Sequence, residues 1–140
     1  MNWTKFFIAF VVAFVWIFLF GYVWWGLLMH SAHMEVPAMF RPESDFGSYM
    51  PWLIAGHVIM AFFLTCIYAK FVAPAGAGAG AKLGVKIGLF CAGIDFIGYA
   101  VHPMTSKMLW GWVAGDVLML AIAGALIGAL YKPSASATAG

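Results

Sequence analysis

Six residues of this sequence are of types that could do chemistry together: His30, His33, His57, His102, Asp95 and Asp116. Three of them, His57, Asp95 and Asp116, interrupt long apolar runs. An ionisable side chain within a membrane-spanning helix costs a few kcal/mol and usually faces the bundle interior or a water-filled cavity. His30 and His33 stand three residues apart, which puts them on one face of a helix, and Glu35 follows just beyond. Asp95 lies seven residues before His102, two helical turns away on the same face.

Several chemistries suit this set. His57 and Asp116 could form a polar pair across the bundle that fixes helix register, a common device in lipid. The six residues together offer nitrogen and oxygen ligands of the kind that hold Zn²⁺ or Cu²⁺. A histidine titrating near neutral pH could instead take part in a proton or substrate route open to the outside. Bis-histidine haem ligation by His57 and His102 has no other feature behind it, so haem is not expected. Met29, Met34, Met39, Met50 and Met104 gather toward the same side but form no MxxM run, and they read as packing residues.

These residues must be positioned by helices that cross a membrane. Hydrophobic residues make up 65% of the 140, and charged residues only 9%, where a soluble domain carries about 25%. The mean hydropathy of +0.98 is too high for so small a body to hide its apolar surface in water. A span needs about 20 mostly apolar residues. Four segments qualify: 5–29, 51–72, 83–102 and 108–131. The expected fold is an all-α, polytopic four-helix bundle in one domain over 1–132, with a mobile tail at 133–140. The connectors read as a polar loop (30–50), a flexible Gly/Ala turn (73–81) and a tight turn (103–107). Glu43, Ser44 and Asp45 suggest a solvated loop that caps a short surface helix. The apolar run after Lys5 is too long for a signal-peptide core and reads as a retained helix.

Lys5, Lys70, Lys82, Lys86 and Lys132 mark one side of the membrane, and Arg41 and Lys107 the other. By the positive-inside rule both termini are cytoplasmic, in a bacterium at the inner membrane. At the helical rise, His57 is roughly 9 Å and Asp116 roughly 12 Å in from the outer boundary. All four histidines and both intramembrane aspartates therefore belong to the outer half. The first segment is crowded with Phe6, Phe7, Phe10, Phe14, Trp16, Phe18 and Phe20, which suits lipid or a partner subunit. Gly84, Gly88 and Ala92 in the third segment recur at four-residue spacing, as do Gly111 with Gly115 and Gly124 with Gly128 in the fourth. Such spacing lets backbones approach closely and predicts that these two helices form a tight inner pair.

Trp52 through Met60 and Trp112 through Met119 share a Trp, Ala-Gly, His-or-Asp, Val, Met pattern. That pattern predicts two related hairpins in a parallel repeat, with His57 and Asp116 equivalent and facing each other. No nucleophile elbow, HExxH or phosphate loop is present, so no enzyme activity is expected. Cys66 and Cys91 read as apolar packing residues, and the formal charge of +2 points to no nucleic-acid partner.

Through Gly21-Tyr22-Val23-Trp24-Trp25, Ala55-Gly56-His57 and Gly128-Ala129-Leu130-Tyr131-Lys132 the chain resembles the small four-helix integral membrane proteins of bacteria. The resemblance implies a fold and no activity. The expected function is non-catalytic: association as an accessory subunit or a homo-oligomer. The alternative is an outward-facing metal- or proton-handling protein.

Overall fold

The computed structural model describes residues 1–131. The proposed tail at 133–140 lies outside them. Four long apolar helices, each able to cross a membrane, form one bundle. Helix α1 runs from Trp3 to Gly21 and continues without a break as a π-helical segment, Tyr22–Leu28. A single helical turn, α2, covers His30–His33. Helix α3 spans Phe46–Phe71, α4 spans Gly76–Val101, and α5 spans Ser106–Leu130.

Two boundaries differ from the sequence reading, each for a local reason. Pro51 looks like a helix start, yet α3 begins five residues earlier, at Phe46. Proline deprives the Gly47 carbonyl of its partner, which is tolerable at an exposed helix end where water or headgroups can serve. Glu43–Asp45, expected as a solvated loop capping a short surface helix, is an exposed 3₁₀ turn that leads straight into α3, and Asp45 makes no side-chain cap there. The Gly/Ala run at 76–81 is helix rather than flexible turn. Gly80 and the Gly76 backbone are held by contact with Gly124 and Gly128 of α5, which outweighs the low helix propensity of the run.

The contact is unusually close. A Cβ added at Gly80 would collide with the Gly124 carbonyl, and one at Gly84 with the Leu120 carbonyl. One at Gly88 would lie 2.6 Å from Val117 Cα, and one at Gly128 would strike the Gly76 carbonyl. These pairs run in opposite directions, so α4 and α5 are antiparallel with their backbones touching over about three turns of helix. The tight pair expected from the glycine spacing is therefore present through Gly84, Gly88, Gly124 and Gly128, whereas Gly111 and Gly115 face Met29, Trp24 and Trp25 instead of α4.

The pair is not the centre of the bundle, however. Helix α4 joins it almost entirely through α5, whereas α1 packs on both α3 and α5. Phe6, Ala9, Ala13 and Ile17 form one fully buried stripe on α1 against Ala61, Leu64 and Tyr68 of α3 and Leu120, Ala123 and Ile127 of α5. The aromatic first helix is thus central rather than a purely lipid-facing element. Its aromatic side chains are divided: Phe7 is exposed, while Phe6 is buried. Trp16 of α1 and Trp24 of its π-helical continuation fix the register on α5. Trp16 Nε1 donates to the Met119 carbonyl (3.0 Å), and Trp24 Nε1 donates to the Gly111 carbonyl (2.9 Å). Both pairs are eight residues apart, in opposite senses, as an antiparallel contact requires. A buried indole N–H needs such an acceptor.

The expected repeat is not shown. The two hairpins pack by different means, alanine and aromatic contacts in α1–α3 and glycine backbone contact in α4–α5.

Candidate functional site

The four histidines and the two intramembrane aspartates sit toward the end of the bundle that carries residues 29–45, called here the loop end. Two cavities lie there, and five of the six residues line one or both of them, His102 being the exception. The smaller, about 360 Å³, is lined by Trp25, His33, Phe40, Asp95, Trp112 and Asp116. The larger, about 1460 Å³, lies between α1 and α3 and is reached by His30, His33 and His57.

The backbone geometry explains the smaller cavity. The α4–α5 register pairs Gly88 with Val117, whose neighbour is Asp116. Asp95 then lies seven residues nearer the loop end, roughly 10 Å along the axis. The two carboxyls face one space at two depths and do not form a dyad. Across from them stands α1, where the π-helical segment brings Trp24 and Trp25 both against Gly115. Cβ positions at Gly115 would lie 2.6 Å from Trp24 Nε1 and 2.9 Å from Trp25 Cζ2, so only glycine fits. Both indoles of this i→i+5 segment reach the same glycine, and such turns often occur at functional sites.

His33 forms the mouth. Trp112 Nε1 donates to His33 Nε2 at 3.1 Å, which makes that nitrogen an acceptor and the ring neutral. Phe40 lies on its other side, with ring centroids 4.7 Å apart. Burial, followed by the neighbouring His30, holds the His33 pKa below the usual histidine value. The sign for stability follows. The unfolded chain binds a proton at His33 near pH 6.5 and the folded chain only at lower pH, so stability falls as pH drops through 6.5. Protonation would also remove the acceptor for Trp112. A melting midpoint measured from about pH 8 down to about pH 5 is expected to fall, and the fall should shrink in His33→Gln. A His33→Gln profile identical to the parent would contradict this assignment.

One atom in the cavity is left unserved. Asp95 Oδ2 is buried and has no hydrogen-bond partner among the described residues. A carboxyl oxygen in such a place is satisfied by a proton, a water or a cation. Below Asp116 the glycine contact closes the space, so the cavity opens toward the loop end.

The remaining candidates stand elsewhere. His57 does not face Asp116: its Nδ1 is 2.6 Å from the Leu53 carbonyl, its ring packs edge-on against Phe18, and its Nε2 lies beside Gly21 of α1. His57 lines the large groove and Asp116 the small cavity, and no hydrogen bond or ion pair joins them. The expected polar pair is thus replaced by two separate sites. His102 is exposed at the end of α4, with Nδ1 3.1 Å from the Gly98 carbonyl. The six-residue metal site is not assembled either. Among the described residues no group of three or more His, Cys, Asp or Glu side chains is placed to hold a metal ion. The reason is rotational: α3 turns His57 toward α1, and α4 turns Asp95 toward the space between α1 and α5.

Sequence reasoning missed Trp25, Phe40 and Trp112 as walls of the cavity. A signal existed for one of them, since Trp112 and Asp116 are four apart and must share a helix face. Phe40 sits in the loop, and periodicity carries no information there. No family model, curated protein or solved structure matches the chain.

Proposed function

We propose that this is a non-catalytic membrane protein that takes up and releases protons on the loop side, through His33, Asp95 and Asp116. The observation that supports it is the ladder itself. A neutral histidine stands at the mouth of one cavity, and two carboxyls follow at increasing depth. The orphaned Asp95 Oδ2 adds an unmet requirement for a proton or a small cation. Ionisable groups in lipid are costly, and a shared cavity is the arrangement in which they work rather than merely burden the fold. Lys5, Lys70, Lys82 and Lys86 lie toward the opposite end, so the positive-inside rule puts the cavity mouth outside the cytoplasm, in a bacterium at the inner membrane.

Infrared difference spectra of the protein in lipid vesicles test this reading. Between acid and alkaline buffer a carboxylic C=O band should appear and vanish. Asp116→Asn and Asp95→Asn should each remove a component of it. A spectrum without a pH-dependent carboxyl band, or one unchanged in both variants, would sink the proposal.

Association with a copy of itself or with a larger membrane complex is a second reading. Helix α4 supports it, because it meets the bundle through α5 and presents Leu89, Phe90, Ile94 and Ile97 outward. A detergent particle holding a single chain and no other protein would remove it.

A further inference from the structure

We propose that the groove between α1 and α3 binds one acyl chain of an anionic phospholipid, with Arg41 holding the headgroup. The groove is independent of the carboxyl ladder in its function, although Trp25, His33 and Phe40 form the wall between the two spaces. Its volume, about 1460 Å³, is large for a protein of this size, and its lining is mainly aromatic and aliphatic.

Three features identify the occupant. The first is length. Along α3 the groove runs from Phe46 to His57, eleven residues or roughly 16 Å, which is about half of a 30 Å hydrocarbon core. It therefore matches one leaflet. The second is what lies along it. Phe18, Tyr22, Trp52 and Leu53 flank the depth of the groove, and the His57 ring at its floor is already engaged with the Leu53 carbonyl.

The third is charge at the mouth. Arg41 lies 3.7 Å over the Tyr49 ring, so its flat face is fixed while its edge donors remain open. No carboxylate of the described residues pairs with it, whereas Lys107, the other cation at this end, is paired with Glu35 at 3.3 Å. Glu43 also lines the mouth, but it lies in the turn entering α3, where the helix N-terminus offsets negative charge. A planar guanidinium with free edge donors is suited to bidentate contact with a phosphate.

The experiment is native mass spectrometry of the full chain in detergent, exchanged with phosphatidylglycerol and phosphatidylcholine of identical acyl chains. The parent should prefer the anionic lipid by about fivefold, the factor that one cation near an anionic headgroup supplies. Arg41→Gln should bring the ratio to about one, and Arg41→Lys should retain part of the preference. Leu53→Trp, which fills the groove from an exposed position on α3, should reduce adducts of both lipids. Equal binding of the two lipids by the parent, or an Arg41→Gln variant with the preference intact, would overturn the proposal. So would a two-chain particle without lipid adducts, because a second copy would then cover the groove.

Discussion

Gly84→Leu is expected to separate α4 from α5 and to cost about 3 kcal/mol or more of stability. The position leaves no room for adjustment. A Cβ there meets the Leu120 carbonyl and approaches Ala121 Cα within 2.8 Å, both backbone atoms that cannot swing aside. In lipid there is little solvent-driven force to hold helices together, so close van der Waals contact is the main attraction across this interface. Moving the helices apart therefore removes most of what binds α4, which has few other contacts. Gly93→Ala supplies the control on the same helix. Nothing lies within 4 Å of a Cβ at Gly93, and alanine is the better helix former by about 0.5–1 kcal/mol. Unfolding in mixed micelles followed by circular dichroism should place the two variants on opposite sides of the parent. A Gly84→Leu protein as stable as the parent would show that the two backbones are not in contact.

Tyr68 is the second position where a large effect is expected. Its side chain is fully buried, and its ring meets Tyr131 edge-on with centroids 6.3 Å apart. Its hydroxyl serves the start of α4 twice: it accepts the Gly76 N–H at 2.8 Å and donates to the Gly76 carbonyl at 3.2 Å. Residue Ala75, before α4, supplies no side-chain cap, so this hydroxyl takes the place of one. Tyr68→Phe keeps the packing and leaves the Gly76 N–H without its acceptor, with an expected loss of about 1–2 kcal/mol. Tyr68→Ala also opens a cavity between α3 and the neighbouring helices, with an expected loss of about 3–5 kcal/mol. The same micelle unfolding measurement separates the two contributions. Equal losses in both variants would mean that the ring contributes nothing beyond its hydroxyl.

Much of the architecture was legible from residue order. Hydropathy is a local, additive property, and a run of about 20 apolar residues has few alternatives to spanning a bilayer. The number of spans and their approximate ends therefore needed no tertiary information. The glycine spacing of the last two helices also carried over, because a missing side chain has one main use in lipid, which is close backbone approach. The clustering of the histidines and intramembrane aspartates toward one end followed from counting residues along each helix.

The rotation of each helix about its own axis was not legible. These helices are apolar on nearly every face, so no polar-apolar stripe shows which side turns inward. Consequently α1 looked peripheral from its phenylalanines, while the Phe6, Ala9, Ala13 and Ile17 stripe puts it at the centre. For the same reason His57 and Asp116 looked like partners at matching depth, yet α3 turns the imidazole toward Gly21 and α5 turns the carboxyl toward Trp25 and His33. Depth along a helix follows from sequence at a fixed rise per residue. Azimuth depends on which neighbour fits which face, and only the packed bundle decides it. By itself, then, the sequence determined a four-span protein with its four histidines and two intramembrane aspartates gathered toward one end. Tertiary structure alone decided that five of those six would be divided between two cavities, because side-chain fit between helices sets each rotation.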